Sequence, residues 1–180
     1  VWKDVLIPAY QPPERIKAMK SFALPILERE LLMTFRGHWN ETTWQYGETR
    51  LKNVRYKLMN SKFLQRQQDV SIGRPAHGFM QLMGNSKFCI VPAGLTAWTV
   101  HLYESFFMGC IPVILSDELI PPFDEFVNWE EISIKYKDTG DYEKLYKRLK
   151  SFSDEKLFEM QKKLYSYSCW FDYELGWGGR

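Results

Sequence analysis

The stretch that decides the fold runs from residue 88 to residue 116, and it reads FCIVPAG over 88–94, AWTVHLYESFFM over 97–108 and IPVILS over 111–116. The first and last segments are apolar runs of strand length, and the middle one has the apolar residues of a helix. A strand, a helix and a second strand in this order form a right-handed crossover between parallel strands. Strands that are apolar on both sides are typical of a parallel sheet that is covered on both faces.

The same alternation extends in both directions from this centre. We predict further strands at 5–7, 31–35, 69–72 and 132–134, and further helices at 48–60, 78–85, 141–150 and 153–167. Residues 14–30 are weakly helical in pattern, and 38–47 has the composition of a loop. The chain is therefore predicted to be a doubly wound, mainly parallel, Rossmann-like α/β sheet. Ligands in such sheets bind beyond the carboxyl ends of the strands, here the loops after Phe35, Val91 and Leu115.

Composition excludes several classes of protein. The chain has 180 residues, of which 45% are hydrophobic and 26% charged, so it is neither disordered nor collagen-like. A formal net charge of +2 gives no argument for nucleic acid binding. The apolar centre is broken by prolines and glycines, so we interpret it as a buried core rather than a transmembrane segment. The histidines lack metal-ligand spacing, and Cys89, Cys110 and Cys169 are interpreted as buried thiols, not as zinc ligands or a disulfide framework.

The turn after the central strand is the first candidate for ligand binding. Gly94 lets the backbone approach a ligand, and the following helix start offers free N–H groups to an anion such as a phosphate. Thr96 or Thr99 would cap that helix or contribute a hydroxyl. The alternative is an ordinary turn and cap.

Glu104 is the second candidate because it is the one formal charge between residues 88 and 116. A carboxylate among apolar residues has to be paired, solvated or bound to a ligand. It would suit the 2′- and 3′-hydroxyls of a ribose. The alternative is a narrow solvent-facing stripe made by His101, Glu104 and Ser105.

Two arginines are the third candidate. Arg36 and Gly37 follow a strand at its carboxyl end, and Arg50 lies in the first turn of a helix, where the helix dipole disfavours a cation. A guanidinium there can grip a phosphate with two parallel hydrogen bonds. The alternative for each is an ordinary surface arginine.

Taken in order, several segments resemble the exostosin family of glycosyltransferases, family 47. The central ones are SKFCIVPAG at 86–94, LYES at 102–105 and GCIPVILSD at 109–117, followed by Pro122-Phe123 and Asn128-Trp129. Upstream, KDVLIP at 3–8, FRG at 35–37 and GETR at 47–50 continue the likeness. The resemblance covers about residues 3–135, and its specificity lies in the order and spacing together.

The resemblance implies an inverting glycosyltransferase with two Rossmann-like lobes, the GT-B arrangement. Residues 1–180 would be a single nucleotide-sugar-binding lobe, the C-terminal one, with terminal helices at about 141–167. The donor is expected to be a UDP-sugar and the acceptor a glycan, with no tightly bound cofactor and no nucleic acid partner. An N-terminal acceptor-binding lobe absent from this chain, and a lumenal, membrane-attached Golgi location, are further implications. Whether the protein forms homo- or hetero-oligomers is left open.

Carried over residue by residue, the resemblance implies that Glu104 binds the ribose and that Arg50 faces the diphosphate. It also implies that Gly94 and the segment from Thr96 to Thr99 lie beneath the diphosphate. His101 stands where the family commonly has an arginine, so this chain brings less positive charge to that place. No catalytic base is assigned, although Asp117 and Glu118 are the nearest loop carboxylates. A non-catalytic lobe that serves as a binding or partner module is the alternative to an enzyme.

Overall fold

The structure, a computed structural model, describes residues 6–38, 49–94, 97–137 and 140–173, with the backbone alone for 49–53. These residues contain one sheet of five parallel strands in the order β2-β1-β3-β4-β5. The strands are β1 Leu31–Arg36, β2 Val70–Gly73, β3 Ser86–Pro92, β4 Ile111–Leu115 and β5 Ile134–Lys135. The doubly wound, parallel α/β architecture predicted from the sequence is confirmed.

Helices lie between the strands and cover both faces of the sheet. Their bounds are α1 Pro13–Phe22, α2 Thr49–Met59, α3 Lys62–Gln65, α4 Phe79–Gly84, α5 His101–Phe107, α6 Trp129–Ile132, α7 Tyr142–Lys150 and α8 Asp154–Ser166. The described residues also contain two 3₁₀ turns, Ile26–Glu28 and Ser168–Trp170. The side chains of Asp141 and Ser153 accept hydrogen bonds from the first turns of α7 and α8, which explains where these two helices begin.

Alternate residues of the central strands supply the two halves of the core. Cys89 and Val91 of β3 face α1 and α5, whereas Phe88 and Ile90 face α2 and α7. All four side chains are buried. Because successive side chains of a strand point to opposite faces, a continuously apolar strand has to be covered on both sides. This burial holds the carboxyl ends of β1, β3 and β4 at one edge of the sheet.

Three details of the predicted elements are wrong. Leu6 and Ile7 are irregular and 46% and 64% exposed, so this apolar pair before Pro8 joins no strand. Helix α5 begins at His101 instead of residue 97, since the β-branched Thr99 and Val100 directly before it are weak helix formers. Residues 129–132 form the short helix α6, and the last strand begins only at Ile134.

The cysteines also differ from the prediction. Cys89 and Cys110 form a disulfide, with Cα atoms 5.6 Å apart, and Cys169 is an exposed free cysteine. The pair was not predicted because Cys110 lies just before β4, and only the pairing of β3 with β4 brings it beside Cys89. The bond joins the middle of β3 to the residue just before the amino end of β4.

Removing this disulfide is expected to lower the free energy of unfolding by about 3 kcal/mol, because the cross-link restricts the unfolded chain. We would compare urea unfolding of the parent with that of the Cys89→Ala/Cys110→Ala variant, using Cys169→Ala as the matched control. The control should unfold like the parent. Equal unfolding midpoints for the parent and the double variant would contradict the expected role of the cross-link.

Candidate functional site

The strand order places a crevice between the carboxyl ends of β1 and β3. From β1 the chain passes to β2 on one side, and from β2 it returns to β3 on the other side of β1. The connections after β1 and β3 therefore leave the sheet in opposite directions, and open α/β sheets bind ligands at such a switch point. Phe35 and Gly37 border the crevice on β1, and Ala93 and Gly94 border it on β3.

Arg55, which the sequence analysis did not single out, joins the two sides of this crevice. It projects from α2, donates from Nε to the Ala93 carbonyl at 2.9 Å and from Nη1 to the His38 carbonyl at 3.2 Å. Its guanidinium lies over the ring of Phe35, 5.6 Å from the centroid. Gly94 lets this guanidinium approach the turn closely, since a Cβ at that position would lie 3.2 Å from Arg55 Nη2.

The charge of Arg55 has no acidic partner among the residues that the structure describes. Burial lowers the pKa of Arg55, although an arginine stays protonated at neutral pH. Two of its N–H groups satisfy backbone carbonyls, which leaves others available. A partly buried cation beside a glycine turn, with no carboxylate to neutralise it, favours the binding of an anion.

Glu104 lies in a buried network on the other side of the crevice. Its Oε1 accepts from Arg15 Nη2 at 2.5 Å, and its Oε2 lies 2.8 Å from His101 Nδ1. The solvent-facing stripe that remained an alternative is wrong, because His101, Glu104 and Ser105 are 9%, 6% and 0% exposed. The buried pairing of Glu104 is the outcome that a lone carboxylate in an apolar helix requires.

The protonation of Glu104 follows from its partners. Burial alone would raise the pKa of Glu104, but the hydrogen bonds and positive charges of His101 and Arg15 together outweigh burial and lower it. The carboxylate is therefore ionised at neutral pH and able to accept further hydrogen bonds.

His101 connects this network to the crevice. Its ring meets that of Phe35 edge to face, with the centroids 5.5 Å apart. Nε2 is buried and has no hydrogen-bond partner within the described part of the chain. Because Phe35 contacts His101 as well as Arg55, the carboxylate network and the Arg55 guanidinium are continuous.

The remaining predicted site residues do not all lie at the crevice. The Thr99 hydroxyl accepts from the His101 backbone N–H at 3.4 Å, as a capping group would. Arg36 turns towards β2, where Nη2 donates to the Ser71 hydroxyl at 2.7 Å, so it does not join the Glu104 network. Arg50 begins α2, but its side chain lies outside the described residues, as does all of Thr96.

Two features are absent from the residues that the structure describes. No three His, Cys, Asp or Glu side chains there come together as metal ligands. No helix in the same residues is both long and apolar enough to cross a bilayer.

Comparison with known proteins identifies the family. Residues 1–152 match the model of the exostosin GT47 domain. The chain belongs to the exostosin GT47 family. The matched range includes β1 to β4 with α2 and α5, and hence all the site residues described above. The resemblance that the motifs suggested is thereby confirmed.

Curated relatives of this exostosin domain carry the names of glycosyltransferases. A probable glucuronoxylan glucuronosyltransferase of Arabidopsis thaliana is 30% identical over 164 residues, covering 91% of this chain and 34% of that protein. A probable glucuronosyltransferase of Oryza sativa subsp. japonica is 29% identical over 162 residues, 89% of this chain and 36% of the relative. A probable beta-1,4-xylosyltransferase of Arabidopsis thaliana is 28% identical, with 73% and 31% covered. The chain thus spans about one third of the length of these relatives.

Proposed function

We propose that this exostosin domain is the donor-binding lobe of an inverting glycosyltransferase that takes its sugar from a UDP-sugar. The observation that carries the proposal is the continuity through Phe35, which joins Arg55, a cation with no acidic partner in the described part of the chain, to a buried, ionised carboxylate. A nucleotide-sugar offers the matching groups, namely a diphosphate and a ribose with two neighbouring hydroxyls. The Arg55 guanidinium and the Glu104 carboxylate both lie at the edge of the sheet where such folds bind ligands.

In this proposal the diphosphate lies over the Gly94 turn, opposite Arg55. Arg50, Thr96, Thr99 and His101 supply further donors around it. A guanidinium grips phosphate oxygens with parallel hydrogen bonds, and the glycine turn lets the backbone come close.

Glu104 accepts hydrogen bonds from the ribose hydroxyls. Arg36 and Gly37 complete the proposed nucleotide-sugar set on the β1 side of the crevice. For Arg36 this requires exchange of its hydrogen bond with Ser71 for one with the ligand.

The acceptor is proposed to be a glycan, as the names of the glucuronosyl- and xylosyltransferase relatives suggest. The acceptor-binding lobe and the catalytic base would lie in the part of those relatives that this chain does not cover. The chain alone is therefore expected to bind the donor without transferring its sugar at a useful rate, because an inverting transfer needs a base and an acceptor held in line. A Golgi lumenal location agrees with the Cys89–Cys110 disulfide, since such bonds persist in oxidising compartments.

A non-catalytic lobe is the second candidate, and His101 is the observation that favours it. Its Nδ1 is committed to Glu104, and an imidazole brings less positive charge than the arginine common in the family. Titration of UDP into the chain separates the two candidates. Saturable binding below about millimolar UDP supports the donor site, and no binding at that concentration favours the partner module.

A further inference from the structure

We propose that Arg15, on α1, is a positioning residue for the donor, which holds the Glu104 carboxylate ionised and in place for the ribose hydroxyls. Arg15 lies 89 positions before Glu104 in the sequence and outside every motif that indicated the family. The inference rests on the proposed function, because it assigns to Arg15 a part in the same donor site.

The geometry fixes the carboxylate from two sides. Arg15 Nη2 of α1 binds Oε1 at 2.5 Å, and His101 Nδ1 of α5 lies 2.8 Å from Oε2. With each oxygen held from a different helix, the carboxylate cannot rotate freely. Each carboxylate oxygen accepts up to two hydrogen bonds, so one acceptor position remains on each for two neighbouring hydroxyls.

Arg15 also places a positive charge beside Glu104 that does not change with pH. Among the described residues, the charged or titratable groups that face Glu104 are Arg15 from α1 and His101 from α5. Burial alone raises the pKa of Glu104, and these two groups bring it below its ordinary value. A guanidinium stays charged at every accessible pH, so the support that Arg15 gives to the ionised Glu104 carboxylate does not vary with pH.

The placement of Arg15 differs from that of an ordinary surface ion pair. In the exposed pair of Lys147 with Glu143 the two side chains are 71% and 51% exposed, whereas Arg15 is 39% exposed and binds a carboxylate that is 8% exposed. Its guanidinium also lies 6.0 Å from the ring centroid of Phe79. Breaking an exposed pair costs little, whereas removing one partner of a pair with a buried member leaves a buried charge uncompensated and costs more.

Two nitrogens at the ends of this network lack hydrogen-bond partners. Arg15 Nε and His101 Nε2 are both buried, and neither has a hydrogen-bond partner in the described ranges. Arg15 Nε is always a donor, and leaving a buried donor unsatisfied costs free energy, so a ligand oxygen that reaches it is stabilised there. A ribose hydroxyl donating to Glu104 is able to accept from Arg15 Nε at the same time. The network therefore allows Arg15 to remain paired with Glu104 when the nucleotide-sugar binds.

The experiment is a calorimetric titration of UDP-glucose into the full chain at about pH 5, 6 and 7.5. Arg15→Met keeps the apolar stem of the side chain and removes its charge. We expect this variant to bind UDP-glucose about tenfold more weakly at pH 7.5. The loss should be larger at pH 5, where the less stabilised Glu104 carboxylate takes up a proton. Arg15→Lys keeps the charge and should lose about threefold without a new pH dependence. Lys20→Met is the matched control, because it removes a cation and an ion pair from the same helix, and it should bind like the parent.

Unchanged affinity of Arg15→Met at all three pH values would overturn the proposal. Tighter binding would overturn it too, since it would mean that Arg15 covers the site and has to leave. Thermal unfolding of each variant checks its fold, and Arg15→Gln, with the same expected result, replaces Arg15→Met if that variant does not fold. Glu104→Gln distinguishes a failure of the proposed donor site from a failure of the role of Arg15. If Glu104→Gln binds like the parent, the ribose site itself is contradicted. If Glu104→Gln binds weakly while Arg15→Met binds like the parent, only the role of Arg15 is contradicted.

Discussion

Replacing Arg55 with methionine is expected to weaken UDP binding about a hundredfold, while uridine binding changes by less than about threefold. Hydrogen bonds to charged groups are worth about 1.5–3 kcal/mol each, and loss of a two-pronged contact with the diphosphate removes two of them. About 1.4 kcal/mol corresponds to a factor of ten. Methionine keeps an apolar stem over Phe35 but loses the hydrogen bonds to the Ala93 and His38 carbonyls, so uridine binding serves to report any change in the shape of the crevice. Calorimetric titration with both ligands measures the difference.

Two further variants calibrate the Arg55 experiment. Arg66→Met removes an exposed arginine near the end of α3 and should bind both ligands like the parent. Arg50→Ala should also lose more affinity for UDP than for uridine if Arg50 faces the diphosphate, as the family motif implies. Equal losses of UDP and uridine binding in Arg55→Met would show that Arg55 supports the fold of the crevice and does not bind phosphate.

Glu104→Gln is expected to weaken the binding of UDP and of uridine alike, by ten- to a hundredfold. An amide offers one acceptor oxygen where the carboxylate offers two, and it lacks the charge that strengthens hydrogen bonds from hydroxyls. The amide has nearly the same shape, and its oxygen remains able to accept from Arg15, so we expect the variant to fold. Titration calorimetry at about pH 7.5 gives the two affinities.

The matched control for Glu104→Gln is Asp117→Asn, which removes an exposed carboxylate from the loop after β4. It should bind both ligands with the affinity of the parent. If Glu104→Gln also binds both ligands like the parent, the assignment of the ribose to Glu104 is wrong, and its pairing with Arg15 and His101 serves the packing of α1 against α5.

The parts of the fold that could be predicted are those with strong local patterns. The runs in β1, β3 and β4 are mostly apolar and each has a glycine or proline close to one end, so composition and length identify them as buried strands. Their order places Gly37 and Gly94 at the same edge of the sheet. Glu104 could be singled out because a charge in an apolar segment demands a partner or a ligand.

The remaining features depend on contacts between distant parts of the chain. Arg55 looks like an ordinary helix position until the order β1-β3 brings Ala93 and His38 within its reach. Likewise, Cys89 meets Cys110 only because β3 pairs with β4. Arg15 has no local signal at all, since its partner lies on another helix. Periodicity describes single elements, and the pairing of elements decides these contacts.

The most direct test of the donor site is a titration of the ¹⁵N-labelled chain with UDP, followed by the backbone amide resonances. The account predicts saturable shifts at Gly37, Gly94 and His101, at the carboxyl edge of the sheet, with Leu27 and Phe158 at the opposite edge unchanged. An absence of saturable shifts at millimolar UDP, or saturable shifts confined to the opposite edge, would contradict the claim that the crevice between β1 and β3 binds a nucleotide-sugar.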